Sequence, residues 1–143
     1  MGPCCADDRE VKATLFADGG SRGNPGPAAS GAVLYDEHGE LVEEIGSFLG
    51  IATNNIAEWT ALVEGLEAAL ARGVDDIAVR LDSELVVKQL SGEYRVKNAG
   101  LVPLHARAKT LLRKFARTDI RHVPRKANAA ADAVVNQVLD AHR

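Results

Sequence analysis

Four acidic side chains stand where a carboxylate could do chemistry. Asp18 follows the strand-like run KATLFA and precedes Gly19 and Gly20, and Asp82 follows a second such run, DIAVRL. Glu58 falls in the first turn of a helix that opens on Asn54 and Asn55, and Asp132 comes four residues after Asn128, near the start of the last helix. If the two runs are parallel neighbours, Asp18 and Asp82 emerge at one sheet edge, where sites of α/β folds collect. Glu58 is spaced from Leu62 so as to point toward the sheet. Four converging carboxylates repel one another without a counter-charge. Such clusters hold hard divalent cations, and Mg²⁺ prefers carboxylate and water. Two ions side by side can activate a water and stabilise a leaving oxygen at phosphorus. Each acid also has a purely structural role open to it. Asp18 can form a turn, Glu58 and Asp132 can favour a helix dipole, and Asp82 can cap the next helix. Residue types alone leave both readings standing.

The elements that must position these acids can be read from periodicity. Strand-like runs at 12–18, 30–36 and 41–49, separated by turns, predict an antiparallel meander. A helix is predicted over 54–73, with Asn54 or Asn55 as its cap, Gly73 as its stop, and Ala61, Leu62, Gly65, Leu66 and Ala69 as its inner stripe. A buried-type strand at 76–82 leads to a short helix in SELVVKQLSG. A helix over 101–116 sets Leu101, Leu104, Ala108, Leu111, Leu112 and Phe115 on one face. A strand at 118–123 and a helix at 128–142, which Asn128 can cap, complete the chain. The order predicts an α/β fold: one five-stranded mixed sheet, three antiparallel strands then two parallel, flanked by helices.

The 143 residues suit one domain, expected over 11–143, with 1–10 as a disordered leader. With 46% hydrophobic and 26% charged residues the class is soluble and globular. No apolar run approaches a membrane span, and MGPCCADDRE lacks the apolar centre of a signal peptide. Cys4 and Cys5 are adjacent and make neither a disulfide framework nor a C-x-x-C pair. A cytoplasmic monomer without membrane attachment is the expectation. The net charge of −3 conceals a division: residues 1–94 carry 6 Lys/Arg against 17 Asp/Glu, and residues 95–143 carry 11 against 3. A basic segment in an acidic chain can hold a polyanion, although a solvated helix face would look the same.

The loop after Asp18, GGSRGNPG, has the turn chemistry of a hairpin in Asn24-Pro25-Gly26. A P-loop does not fit, since there is no G-K-[ST] and the loop precedes a strand. Its small residues would also let a nucleic-acid backbone approach closely.

The blocks DGGSRGNPGPA, TNNIAE, LDSELVVKQLSGEYRVKN and HVPRKANAAAD, in this order from about Val11 to the C-terminus, resemble those of type 1 ribonuclease H, in its compact bacterial and archaeal style. The resemblance implies the ribonuclease H fold and cleavage of the RNA strand of RNA–DNA hybrids, leaving 5′-phosphate and 3′-hydroxyl ends. By position, the family's four acids fall on Asp18, Glu58, Asp82 and Asp132. The implied cofactor is Mg²⁺ or Mn²⁺, two ions per active site with substrate bound. Asp18 would bridge them, Glu58 and Asp82 would hold one, and Asp132 the other. Gly19, Gly20 and Ser21 become candidate RNA contacts, and Asn24 and Thr53 candidate holders of a DNA phosphate. Asn54, Asn55 and Glu84 match positions facing the hybrid, where Glu84 can accept from a 2′-hydroxyl, the group that marks RNA.

The sequence departs from the family twice. Some members carry a basic handle before the helix that begins LVPLHARAKT, where this chain has only SGEYRVKNAG. Grip on the substrate then falls to Arg95, Lys97 and the basic face of 107–117. Members with a catalytic histidine carry it in a longer loop before the last helix. Here VPRKAN is short, strand alternation places His122 in the preceding strand, and Arg125 takes the auxiliary place before Asn128 and Asp132. The alternatives are a catalytically weak hybrid-binding module, which would be expected to lack one of the acids, and a related nuclease of the same superfamily.

Overall fold

The computed structural model describes residues 11–142; the leader with Cys4 and Cys5 lies outside the described residues. Five strands form one sheet: β1 (Lys12–Ser21), β2 (Gly26–Asp36), β3 (Leu41–Ala52), β4 (Asp76–Leu81) and β5 (Arg117–His122), in the order β3-β2-β1-β4-β5. β1, β2 and β3 are antiparallel neighbours, and β4 and β5 run parallel to β1. The helices are α1 (Asn54–Ala71), α2 (Glu84–Ser91), α3 (Val102–Leu112) and α4 (Ala129–Ala141), the last preceded by a 3₁₀ turn, Arg125–Asn128. This is the mixed sheet that the element order predicts.

The pleat of β1 divides the core. Ala13, Leu15 and Ala17 turn to one face, where they join Trp59, Leu62 and Leu66 of α1, with Ala108 and Leu111 of α3 in the same cluster. On the other face α4 lays Val134, Val135 and Leu139 over Ala29 and Val33. None of the described helices is long and apolar enough to cross a membrane.

The caps differ in part from the expectation. Thr53, not Asn54 or Asn55, caps α1, its hydroxyl accepting from the Ile56 N–H at 3.2 Å. Ser83 caps α2, accepting from the Val86 N–H at 3.3 Å, and Gly92 ends that helix at φ +88°. α3 stops at Leu112, short of 116, yet Phe115 is still buried by the turn that follows.

β1 does not end at Asp18. It continues through Gly19, Gly20 and Ser21, which pair with Ser30, Ala29 and Ala28. Pairing with β2 carries the strand on, and glycine lets it pass close to α1. A Cβ on Gly19 would lie 2.2 Å from the carbonyl carbon of Ala57 and 2.3 Å from the amide nitrogen of Glu58. The strand therefore runs directly against α1 at Ala57 and Glu58, just past the first turn that the sequence predicts for Glu58, and only glycine permits this. At Gly31, on the next strand, an added Cβ would meet the Ala131 carbonyl oxygen of α4 at 2.7 Å.

Two adjacent substitutions separate close approach from mere glycine content. Gly19→Ala forces backbone against backbone and is expected to cost about 3 kcal/mol or more. Gly20→Ala meets only the Val135 side chain, at 3.4 Å, and is expected to change stability by less than about 1 kcal/mol. Urea unfolding of both variants checks this, and equal midpoints would refute it.

Candidate active site

The parallel ladder between β1 and β4 ends at the pair Ala17 and Leu81. The next residue in each chain segment is an acid, so Asp18, still paired with β2, and Asp82, just past β4, stand side by side where that ladder ends. Glu58 arrives from the turn of α1 that touches Gly19. Carboxylate oxygens of Asp18, Glu58 and Asp82 all lie within 4.8 Å of one another. Asp132, on the first turn of α4, adds a carboxyl that hydrogen-bonds to that of Asp18. All four line one cavity of about 450 Å³, together with Gly19, Gly20, Ser21, Asn54 and Arg125.

The electrostatics are those of uncompensated negative charge. Asp18 is 7% exposed, and burial pushes its carboxyl up to about 8, helped by the charge of Asp82 and by the hydrogen bond and charge of Asp132; the Gly19 N–H opposes this. Burial likewise raises Glu58 to about 7. The Ser83 hydroxyl and the Arg125 charge hold Glu58 down, and Asp82 pushes it up. Asp132 is oriented by Asn136, whose Nδ2 donates to its carboxylate at 3.2 Å and to its carbonyl at 3.1 Å. Asn136 was not singled out by sequence. Its spacing of four residues along the helix is the signal that could have found it.

Beside this cavity lies a cleft of about 300 Å³ lined by Asn24, Thr53, Asn54, Asn55, Asn98 and Leu101. The Ser21 N–H donates to Asn54 Oδ1 at 2.8 Å, and the Asn54 N–H donates to Asn24 Oδ1 at 3.1 Å. These bonds tie the β1–β2 loop to the start of α1. They use the oxygens of both amides and leave the Nδ2 groups as donors for another partner. Asn98 is a second residue that sequence reading passed over. It enters because the link after α2 folds back onto α1, which no local pattern announces.

The remaining candidates are more scattered. Glu84 and Lys88 pair at 3.5 Å on the exposed side of α2, lining neither cavity. Arg95 and Lys97 are exposed on the link between α2 and α3. His122 is the last residue of β5, exposed, opposite Leu81. The basic face of 107–117 does not converge on the acids. Arg107 is bound to Glu67 at 2.9 Å, and Arg117 stands opposite Asp76, at the far end of β4 from Asp82. Five strand steps separate those ends, roughly 16 Å. Asn128 occupies the cap position of α4 but makes no capping bond; its side chain is turned inward.

The chain matches the family described as reverse transcriptase-like over residues 16–138. It is 48% identical over 133 residues to the ribonuclease HI of Halobacterium salinarum, covering 93% of this chain and 67% of that protein. Its fold superposes on the crystal structure of that organism's RNase H1 with a TM-score of 0.87, covering 90% of this chain and 98% of the other. The chain belongs to the type 1 ribonuclease H family. It also superposes on LC11-RNase H1 in complex with an RNA/DNA hybrid, at a TM-score of 0.85 and 38% identity, over 91% of this chain and 98% of that one. A bifunctional protein of Mycobacterium tuberculosis is 43% identical over 132 residues, and there this chain spans only 36% of the relative's length.

The donor set fits a hard divalent cation. All the donors are oxygens, they converge, and burial and mutual repulsion raise the Asp18 and Glu58 carboxyls, a cost that a cation would offset. The ordinary values of Asp18 and Glu58 are 3.8 and 4.5, so both folded values are raised. Without metal, the stability they contribute is full below about pH 4 and is lost as pH rises through about 7 and 8. In chelator, Asp18→Asn is therefore expected to raise the melting temperature, and its advantage over the parent chain should grow between about pH 5 and pH 9. At the alkaline end it should reach about 3–6 °C, the shift that ~1–2 kcal/mol produces in a domain of this size. A pH-independent difference in thermal melts would show that Asp18 is not strained by charge.

Proposed function

We propose that this chain hydrolyses the RNA strand of RNA–DNA hybrids, with Asp18, Glu58, Asp82 and Asp132 as the catalytic carboxylates, and leaves 5′-phosphate and 3′-hydroxyl ends. The observation that carries the reading is the convergence of the three carboxylates of Asp18, Glu58 and Asp82 within 4.8 Å, in a chain 48% identical to a ribonuclease HI. The LC11-RNase H1 complex, which holds an RNA/DNA hybrid, supports the same substrate class here.

The four carboxylates would hold two Mg²⁺ or Mn²⁺ ions, which supply charge neutralisation at phosphorus and a water of lowered pKa. Deprotonation of Asp18 and Glu58 must accompany that binding, so metal affinity rises with pH. The chain's own residues do the rest. Gly19, Gly20 and Ser21 carry no bulk that would keep a sugar–phosphate backbone away from the acids. Asn24, Thr53, Asn54 and Asn55 present neutral donors to a phosphate of the second strand, and phosphate contacts of this kind set register without reading sequence. Glu84, exposed at the start of α2, accepts from the 2′-hydroxyl of the RNA. Arg95 and Lys97 add positive charge on the link that replaces a handle. Arg125 faces Glu58, and its guanidinium suits it to neutralising phosphate charge rather than to taking a proton.

One labelled sequence offered as hybrid, double-stranded RNA, single-stranded RNA and double-stranded DNA tests the reading. Cleavage is expected of the hybrid's RNA strand alone, to vanish with EDTA, and to fall by about a thousandfold or more in Asp18→Asn and Glu58→Gln with the fold kept. Binding of the hybrid without cleavage by the parent chain would favour the binding-module alternative.

A second test separates Arg125 from His122. His122 ends an exposed strand and lines neither cavity, whereas Arg125 lines the acid cavity. Arg125→Ala is expected to lower kcat by about tenfold or more, and His122→Ala to change it by less than about twofold. A His122→Ala variant that binds metal and folds normally yet loses most activity would return the proton-transfer role to the histidine.

A further inference from the structure

Asn128 is the only fully buried amide among the described residues that leaves a polar atom unsatisfied. Its side chain is 0% exposed, its Nδ2 donates to the Ala17 carbonyl at 2.9 Å, and its Oδ1 meets no donor among the described residues. The donated bond fixes which end is nitrogen. A residue kept only for packing would gain from losing an orphan acceptor, because an unpaired buried polar group costs stability.

Its place explains the exception. The β1–β4 ladder ends at Ala17 and Leu81, and on the other side the Leu81 carbonyl takes the Val123 N–H at 2.8 Å. Beyond that point β4 turns away into Asp82 and Ser83, while β1 goes on with β2 alone. The Ala17 carbonyl, where the ladder stops, is taken by Asn128. Asn128 thus bonds to the residue before Asp18 at the fork from which Asp18 and Asp82 diverge. It also closes the turn that carries Arg125 and opens the helix that carries Asp132. Among the described residues, the other side-chain hydrogen bond joining β1 to the start of α4 is that of the Asp18 and Asp132 carboxyls themselves.

We infer that Asn128 is a positioning residue, a clip that sets the spacing of the Asp18, Asp82 and Asp132 carboxylates for divalent-cation binding. The inference rests on the ribonuclease reading for its consequence in turnover, but not for its consequence in metal affinity. An outer residue that orients ligands changes metal affinity or activity by roughly tenfold to a hundredfold when removed.

The test uses Asn128→Ala and Asn128→Leu in the full chain. Leucine refills the volume with no polar atom and removes the orphan acceptor. Mn²⁺ affinity is measured by calorimetry, and hybrid cleavage is measured against Mg²⁺ concentration, well below each variant's melting temperature. Both variants are expected to bind Mn²⁺ about tenfold or more weakly and to need correspondingly more Mg²⁺. KM for the hybrid at saturating metal should stay within about twofold. The Leu variant should melt nearer the parent chain than the Ala variant does. If Leu restores metal affinity along with melting temperature, Asn128 only packs, and the inference is overturned. It is equally overturned if both variants unfold, since the residue then serves folding alone. Should the parent chain fail to cleave the hybrid, the ribonuclease reading falls, and Mn²⁺ affinity still decides the role of Asn128.

Discussion

The backbone of β1 touches α1 at Gly19, and the site depends on that contact. With any side chain at this position the helix start would be pushed away, because the nearest atoms are the main chain of Ala57 and Glu58. The approach brings Glu58 to Asp18. The parallel pairing of β1 with β4 brings Asp82 to the same place, and the close seat of α4 on Gly31 brings Asp132. Two glycines and one parallel ladder therefore decide where four acids meet. The hairpin loop that follows them is secondary, held by Ser21 and Asn24 to Asn54.

Such a cluster opposes folding. Burial and mutual repulsion raise two of the carboxyls, and among the described residues only the Ser83 hydroxyl and Arg125 relieve Glu58. The surrounding structure holds the acids in place through apolar packing beneath them. Ala17, Leu81, Trp59 and Val86 belong to one buried cluster. The hydrophobic layer stops one residue short of the charges in both segments, and the pleat that turns Ala17 toward α1 turns Asp18 to the opposite face of the sheet. A cation held by these carboxylates would offset their repulsion, and metal binding would then add to stability.

Much of this was legible in the sequence because it is set by period and order. Strands flanked by turns, an apolar stripe along 54–73 and an acid after each of two strand-like runs predict the sheet and the convergence. What was not legible is tertiary. Glycine after Asp18 reads as a strand break, but the β2 partner keeps β1 extended as far as Ser21. Asn54 reads as a cap, yet its side chain is spent on Ser21 and the cap falls to Thr53. Asn128 reads as a cap for the same reason of residue type, and it serves Ala17 instead. The basic run near 107–117 looks like a single face. Its far end instead lies opposite Asp76, because β5 begins where β4 begins. In each case a local preference gave way to a partner distant in sequence.

Asn54 lines both the acid cavity and the amide cleft, and that shared wall bears on how a duplex could be held. On the proposed function, the RNA backbone meets carboxylates on one side and the DNA backbone meets neutral amides on the other. The two strands therefore meet opposite kinds of surface. Bare carboxylates repel a phosphate, so the RNA side closes only with cations present. Asparagine and threonine attract a phosphate by geometry with little dependence on charge, so the DNA side needs none. Because the Ser21–Asn54–Asn24 chain of hydrogen bonds joins the two surfaces rigidly, a phosphate seated in the cleft fixes how far the opposite strand stands from the acids. The width of the duplex, rather than its sequence, then decides whether a scissile phosphate reaches Asp18. A hybrid differs from double-stranded RNA and from double-stranded DNA in that width, and a rigid two-surface grip senses it without a single base contact.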